Sequence, residues 1–113
     1  MNKFRTFDET LKERLADPEY ARDFLDVSLE EYESDGNKEV FLRALRYVAE
    51  AQGGLGKLAE DTKLNRPNLY KILSQEGNPR LETIGAILHA LGYRLSVASR
   101  KPETSKDFST ARE

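Results

Sequence analysis

LGKLAEDTKLNRPNLYKILS, residues 55–74, is the stretch on which the reading of the whole chain turns. Leu55, Leu58, Ala59 and Thr62 fall on one face at helical spacing, and Leu69 and Ile72 do so again after a short break. Leu64 lies between them, where it can plug a turn. The pattern predicts two short helices, about residues 55–62 and 66–75, joined by a tight turn. Ala59 suits such a pair, because helices crossing steeply around a short turn need a small side chain at closest approach.

With Leu64, Leu69 and Ile72 turned inward, the opposite face displays Asn65, Arg66, Asn68, Tyr70, Lys71 and Ser74. These types suit a nucleic acid: arginine can donate twice to guanine, asparagine can pair with adenine, and lysine or serine can hold phosphate. Pro67 removes an amide that would lack an intrahelical partner in a first turn anyway. Gly54-Leu55-Gly56-Lys57 opens the preceding helix, where free amides and Lys57 would suit a phosphate. The glycine spacing matches neither familiar nucleotide-binding loop. An ordinary helical hairpin with a solvated polar face accounts for the apolar spacing equally well. It does not account for the small Ala59, the short turn and the donor-rich face together.

Outward from this stretch the chain reads as helix. Thr6 and Glu9 have capping-box spacing, with Phe7, Leu11 and Leu15 on one face of a short helix ending near Ala16. Asp17-Pro18-Glu19 starts another, whose expected stripe is Ala21, Phe24, Leu25, Leu29 and Tyr32, stopping before Ser34-Asp35-Gly36. A third begins after Asn37, with Phe41, Ala44, Leu45 and Val48 as core, and ends at Gly53-Gly54. Gly77-Asn78-Pro79 breaks the chain again. Leu81, Ile84, Ile87, Leu88 and Leu91 then mark a sixth helix, closed by Gly92.

Tyr93-Arg94-Leu95-Ser96-Val97 alternates as a half-buried strand does. A lone strand in a helical chain has no internal partner, so its edge suits the same strand of a second copy. Tyr93, Leu95 and Val97 would then lie in a two-fold dimer. A short unpaired extended tail is the other reading. The expected organisation is an acidic helical region over 1–36, a helix-turn-helix domain with its strand over 37–98, and a mobile polar tail over 99–113.

A chain of 113 residues, 38% hydrophobic and 34% charged, suits one small helical domain rather than a disordered chain. The net charge of −2 conceals a division. Residues 1–36 hold five Lys/Arg against eleven Asp/Glu, a balance of −6, and residues 37–113 hold thirteen against nine, a balance of +4. The acidic part would suit a basic partner, or it is simply a solvated surface. With no cysteine, thiolate metal sites and disulfides are excluded. No signal-peptide pattern or membrane-length apolar run is present, so a cytoplasmic location is expected. Nor is an enzyme expected. The single histidine, His89, has no second histidine one turn on, and the neighbours Glu30-Glu31 and Glu60-Asp61 diverge on a helix. No cofactor or metal is anticipated.

Residues 38–92 resemble the five-helix domain of Xre/phage-repressor proteins, through LAEDTKL and NPRLETIGAILHALG. Over residues 5–98 the chain is similar to the probable addiction-module antidote family, the HigA-like antitoxins. QGGLGKLAEDTKLNRPNLYKILSQEGNPRL is the specific part, and the N-terminal match is looser. The resemblance implies a bacterial or prophage DNA-binding antitoxin that acts as a dimer on a near-palindromic operator. It would neutralise a toxin resembling the RelE/HigB ribonucleases, a small basic protein, and repress its own operon. Mapped onto this chain, Arg66, Asn68, Tyr70 and Lys71 are candidates for base contacts, and Lys57, Asn65, Ser74 and Arg80 for the backbone. A stand-alone prophage regulator and an interaction module with a vestigial DNA face remain alternatives. One departure stands out: where the family's turn reads T-G-L, this chain has Thr62-Lys63-Leu64. A lysine held at positive φ there costs on the order of 1 kcal/mol relative to glycine.

Overall fold

In the computed structural model the described residues are 7–74 and 76–100, without the side chains of residues 7 and 8. They form six helices and no strand: α1 (Phe7–Leu15), α2 (Pro18–Asp35), α3 (Lys38–Ala51), α4 (Gly54–Thr62), α5 (Arg66–Ile72) and α6 (Leu81–Ala90). Thr6, the expected cap of α1, and the tail from residue 101 lie outside the described residues.

Short polar side chains set where helices start. Asp17 accepts a bond from the Glu19 amide at 3.1 Å, and Asn37 accepts one from the Glu39 amide at 2.9 Å. Each satisfies an amide that the first turn would otherwise leave without a partner. Gly36 ends α2 in the left-handed region at φ 74°, its amide donating to Tyr32 at 2.7 Å.

The centre is α3, which packs against α1, α2 and α4, while α4 packs in turn against α5 and α6. Phe41, Leu42, Ala44, Leu45, Val48 and Ala49 are all buried on it. Leu11 and Leu15 of α1 join this core, and the Gln52 side chain ties the end of α1 to the end of α3 by donating to the Leu15 carbonyl at 3.0 Å.

The expected stripe on α2 is only partly core. Ala21, Leu25 and Ser28 are buried, Phe24 is half-buried, and Leu29 and Tyr32 are exposed. Leu29 faces an open groove, so nothing covers it. The Ser28 hydroxyl is satisfied inside the core by donating to the Leu25 carbonyl at 2.7 Å. In α6, Ile87 and Leu88 are buried, while Leu81, the first residue of the helix, is 72% exposed.

Gly92 closes α6 at φ 95°, and residues 93–100 continue as an arm without regular secondary structure. A ladder needs a second strand, and among the described residues the chain offers none, so the strand expected over 93–97 is not formed here. The arm is nonetheless anchored. Tyr93 donates its hydroxyl to the Pro18 carbonyl at 2.8 Å, and Leu95 packs over Gly85, where a Cβ would stand 3.5 Å from its Cδ1. Val97 is 98% exposed.

Candidate nucleic-acid interface

The helix pair α4–α5 is built as its sequence demands. Leu55, Leu58 and Ala59 are buried on α4, and Leu69 is fully buried on α5. Thr62 turns its hydroxyl back to the Leu58 carbonyl at 2.7 Å and receives the Leu64 amide at 3.4 Å. Between the helices Lys63 holds φ 67° and ψ 21°, the only non-glycine residue at positive φ among those described. The departure from glycine therefore keeps the turn and leaves its strain on a lysine.

The second helix is shorter than its sequence suggested. It ends at Ile72 rather than Gln75, and Leu73, not anticipated as core, is buried at the cap while Ile72 is only half-buried. Gly77 explains the early stop. A Cβ at this position would overlap the Ile72 carbonyl and stand 3.0 Å from that of Lys71. Only glycine lets the chain turn back so closely, and its amide donates to Ser74 at 2.9 Å.

Several candidate residues have structural duties. Asn65 caps α5 by accepting the Asn68 amide at 2.7 Å. Ser74 closes the other end, donating to the Lys71 carbonyl at 2.8 Å and accepting from the Glu76 amide at 3.3 Å. Tyr70 lies beneath the Arg46 guanidinium of α3, 5.5 Å from its ring centroid. Arg46 is itself steadied by Glu50 at 3.1 Å. Nothing in the sequence connects Arg46 to α5; the two helices meet only in the fold.

Arg66 lies over Gly56 of α4, where a Cβ would stand in ordinary contact, 3.8 Å from its Nε. Arg66, Asn68 and Lys71 are exposed on α5, and no side-chain hydrogen bond or ion pair engages them. Arg80 likewise has none and provides no side-chain cap to α6. Lys57 stands apart from this group. It pairs with Asp61 at 2.8 Å beside the end of α6, and the Asp61 carboxylate, by hydrogen bond and charge, holds its ammonium above the ordinary lysine value. The structure thus gathers Arg66, Asn68 and Lys71 on one short helix with Asn65 and Ser74 at its ends, sets Tyr70 under Arg46 of α3, and leaves Lys57 paired with Asp61 on α4. Among the described residues no cluster of metal-ligating side chains occurs, and no helix is long and apolar enough to cross a membrane.

Comparison with known proteins identifies the kind of chain this is. The profile of the family described as "Probable addiction module antidote protein" matches residues 3–99. An uncharacterised protein of Haemophilus influenzae is 33% identical over 73 residues, covering 65% of this chain and 74% of that protein. No solved structure matches. The chain belongs to the probable addiction module antidote family, a family of antidotes and not of enzymes, and an antidote implies a toxin that it counters.

Proposed function

We propose that this antidote is also a sequence-specific DNA-binding protein of the helix-turn-helix type, with α5 entering the major groove. One observation carries the reading: Arg66, Asn68 and Lys71 project from a capped, buttressed helix with no partner of their own. Base-reading groups are expected to be held in place yet left free to bond. Asn65 and Ser74 then fix the ends of the reading helix. Tyr70 reaches bases or phosphate with Arg46 stacked on it, while Lys57 and Arg80 meet the phosphate backbone. A second copy pairs through Tyr93, Leu95 and Val97, so that two reading helices meet a near-palindrome with half-sites about 34 Å apart. Leu95 and Val97, exposed beyond the anchored Tyr93, support that pairing. The target is the antidote's own operon, and the toxin is a basic ribonuclease of the RelE/HigB kind in the cytoplasm.

Gel-shift titration against the gene's upstream DNA at about 50 mM salt tests the DNA reading, because phosphate contacts are strongest at low salt. A salt-sensitive shift is expected, and no shift refutes it. Arg66→Ala should cost about 1–3 kcal/mol and relax preference at one base step, whereas Lys57→Ala should weaken all sequences alike. Uniform loss from both would overturn the division of roles.

A further inference from the structure

The groove between α2 and α3 has features that neither the fold nor the DNA face uses. It is a cleft of about 160 Å³ lined by Phe24, Val27, Glu31, Val40, Arg43 and Tyr47, among others. Val27 is 54% exposed, too much for a core position, and Tyr20 continues the same face of α2 one helical step earlier. Tyr20, Phe24, Val27 and Glu31 recur at i, i+4, i+7 and i+11, with Asp23 and Glu30 alongside.

Charge indicates what would cover this cleft. From Pro18 to Asp35, α2 carries seven carboxylates and one arginine, Arg22, which is already paired with Asp23 at 3.2 Å. Glu19–Asp23, Asp26–Glu30 and Glu31–Asp35 are like-charge pairs one turn apart, which repel on a helix. Glu30 and Glu31 have no ion-pair partner among the described residues. The cation on the α3 wall, Arg43, is neutralised by Glu39 at 3.2 Å. An apolar floor with a negative rim is therefore exposed, and α3 turns it away from the DNA-facing pair, since Tyr47 lines the cleft while Arg46 stacks on Tyr70. The larger groove on the other flank of α2, about 760 Å³, has one carboxylate in its walls, Asp26, against Arg22 and an Arg94 that no ion pair among the described residues neutralises, so it lacks this complementarity.

We infer that the α2–α3 cleft is the docking site for the toxin, taking a cationic amphipathic segment whose apolar side chains meet Phe24, Val27 and Tyr47. Its Lys or Arg groups reach Glu30 and Glu31, relieving the repulsion along α2. This rests on the antidote having a basic toxin as its partner.

The test titrates the full chain with the separately purified small protein encoded beside it. Val27→Lys and Glu31→Lys should each weaken binding about tenfold or more, while Glu33→Lys, the same charge change on the other flank of α2, should stay within about threefold. Circular dichroism melts establish folding, with Val27→Ser and Glu31→Gln standing in for any variant that fails to fold. Equal losses from Glu31→Lys and Glu33→Lys would reduce the effect to net charge and overturn the cleft assignment. Unchanged binding by the cleft variants would overturn it too, leaving the antidote reading intact. No binding by the unaltered chain would overturn the basic-toxin reading itself, and the docking site with it.

Discussion

α2 and α5 start with the same chemistry and end as opposites. Each has an Asp or Asn cap with a proline in its first turn. Yet α2 runs for 18 residues with a heavy excess of acid, whereas α5 runs for seven and displays cations. Helices under about 12 residues are marginal alone, so α5 is helical only because other elements hold it. Leu69 and Leu73 anchor it to the core, Asn65 and Ser74 satisfy its ends, Gly77 seals its last turn, and Arg46 covers Tyr70. The long helix can afford a surface tuned for a partner, while the short one depends on its supports for every exposed group it presents.

The sharpest way to break this contrast is to truncate one apolar residue on each helix. Leu69→Ala should cost about 2–5 kcal/mol in urea unfolding and abolish the DNA shift. Val27→Ala, on the open face of α2, should stay within about 0.5 kcal/mol. Similar costs would show that α5 is no more dependent on packing than α2. Gly77→Ala comes next, at about 1–3 kcal/mol, since a methyl group there must displace the end of α5. A melting temperature unchanged by this substitution would remove glycine's role in stopping the helix.

The two caps sharpen the comparison further. Asp17→Ala and Asn65→Ala should each cost about 1 kcal/mol, but only Asn65→Ala should also weaken DNA binding. Smallest, and opposite in sign, is Lys63→Gly, expected to stabilise by about 0.5–1 kcal/mol through relief of the left-handed backbone. A destabilised Lys63→Gly variant would mean that the lysine side chain contributes more than its strain costs.

The six helices were legible because their signals are local. Asp17 caps α2 and Gly92 closes α6 at positive φ as read, while the capping role of Asn65 was not read and α2 runs on to Asp35, two residues further than expected. The turn at Lys63 was legible for the same reason, by comparison with the glycine it replaces. Errors gathered where distant elements meet. Leu73 is core and Leu29 is not, because burial depends on what another helix covers rather than on spacing. The strand over 93–97 was read from alternation, but pairing needs a partner that a single chain does not contain.

The candidate site divides along the same line. Sequence alone placed Arg66, Asn68 and Lys71 on the outer face of α5, since helical periodicity fixes relative direction along one element. It also determined that the first 36 residues are acidic and the remainder basic. Only the tertiary structure decided that Tyr70 stacks under Arg46, that Arg66 lies against Gly56 of α4, and that an apolar cleft lies open beside the acids of α2. Each of these depends on the packing of separate helices. A residue's spacing along its own helix does not specify which neighbour that helix will meet, or where the meeting leaves a gap.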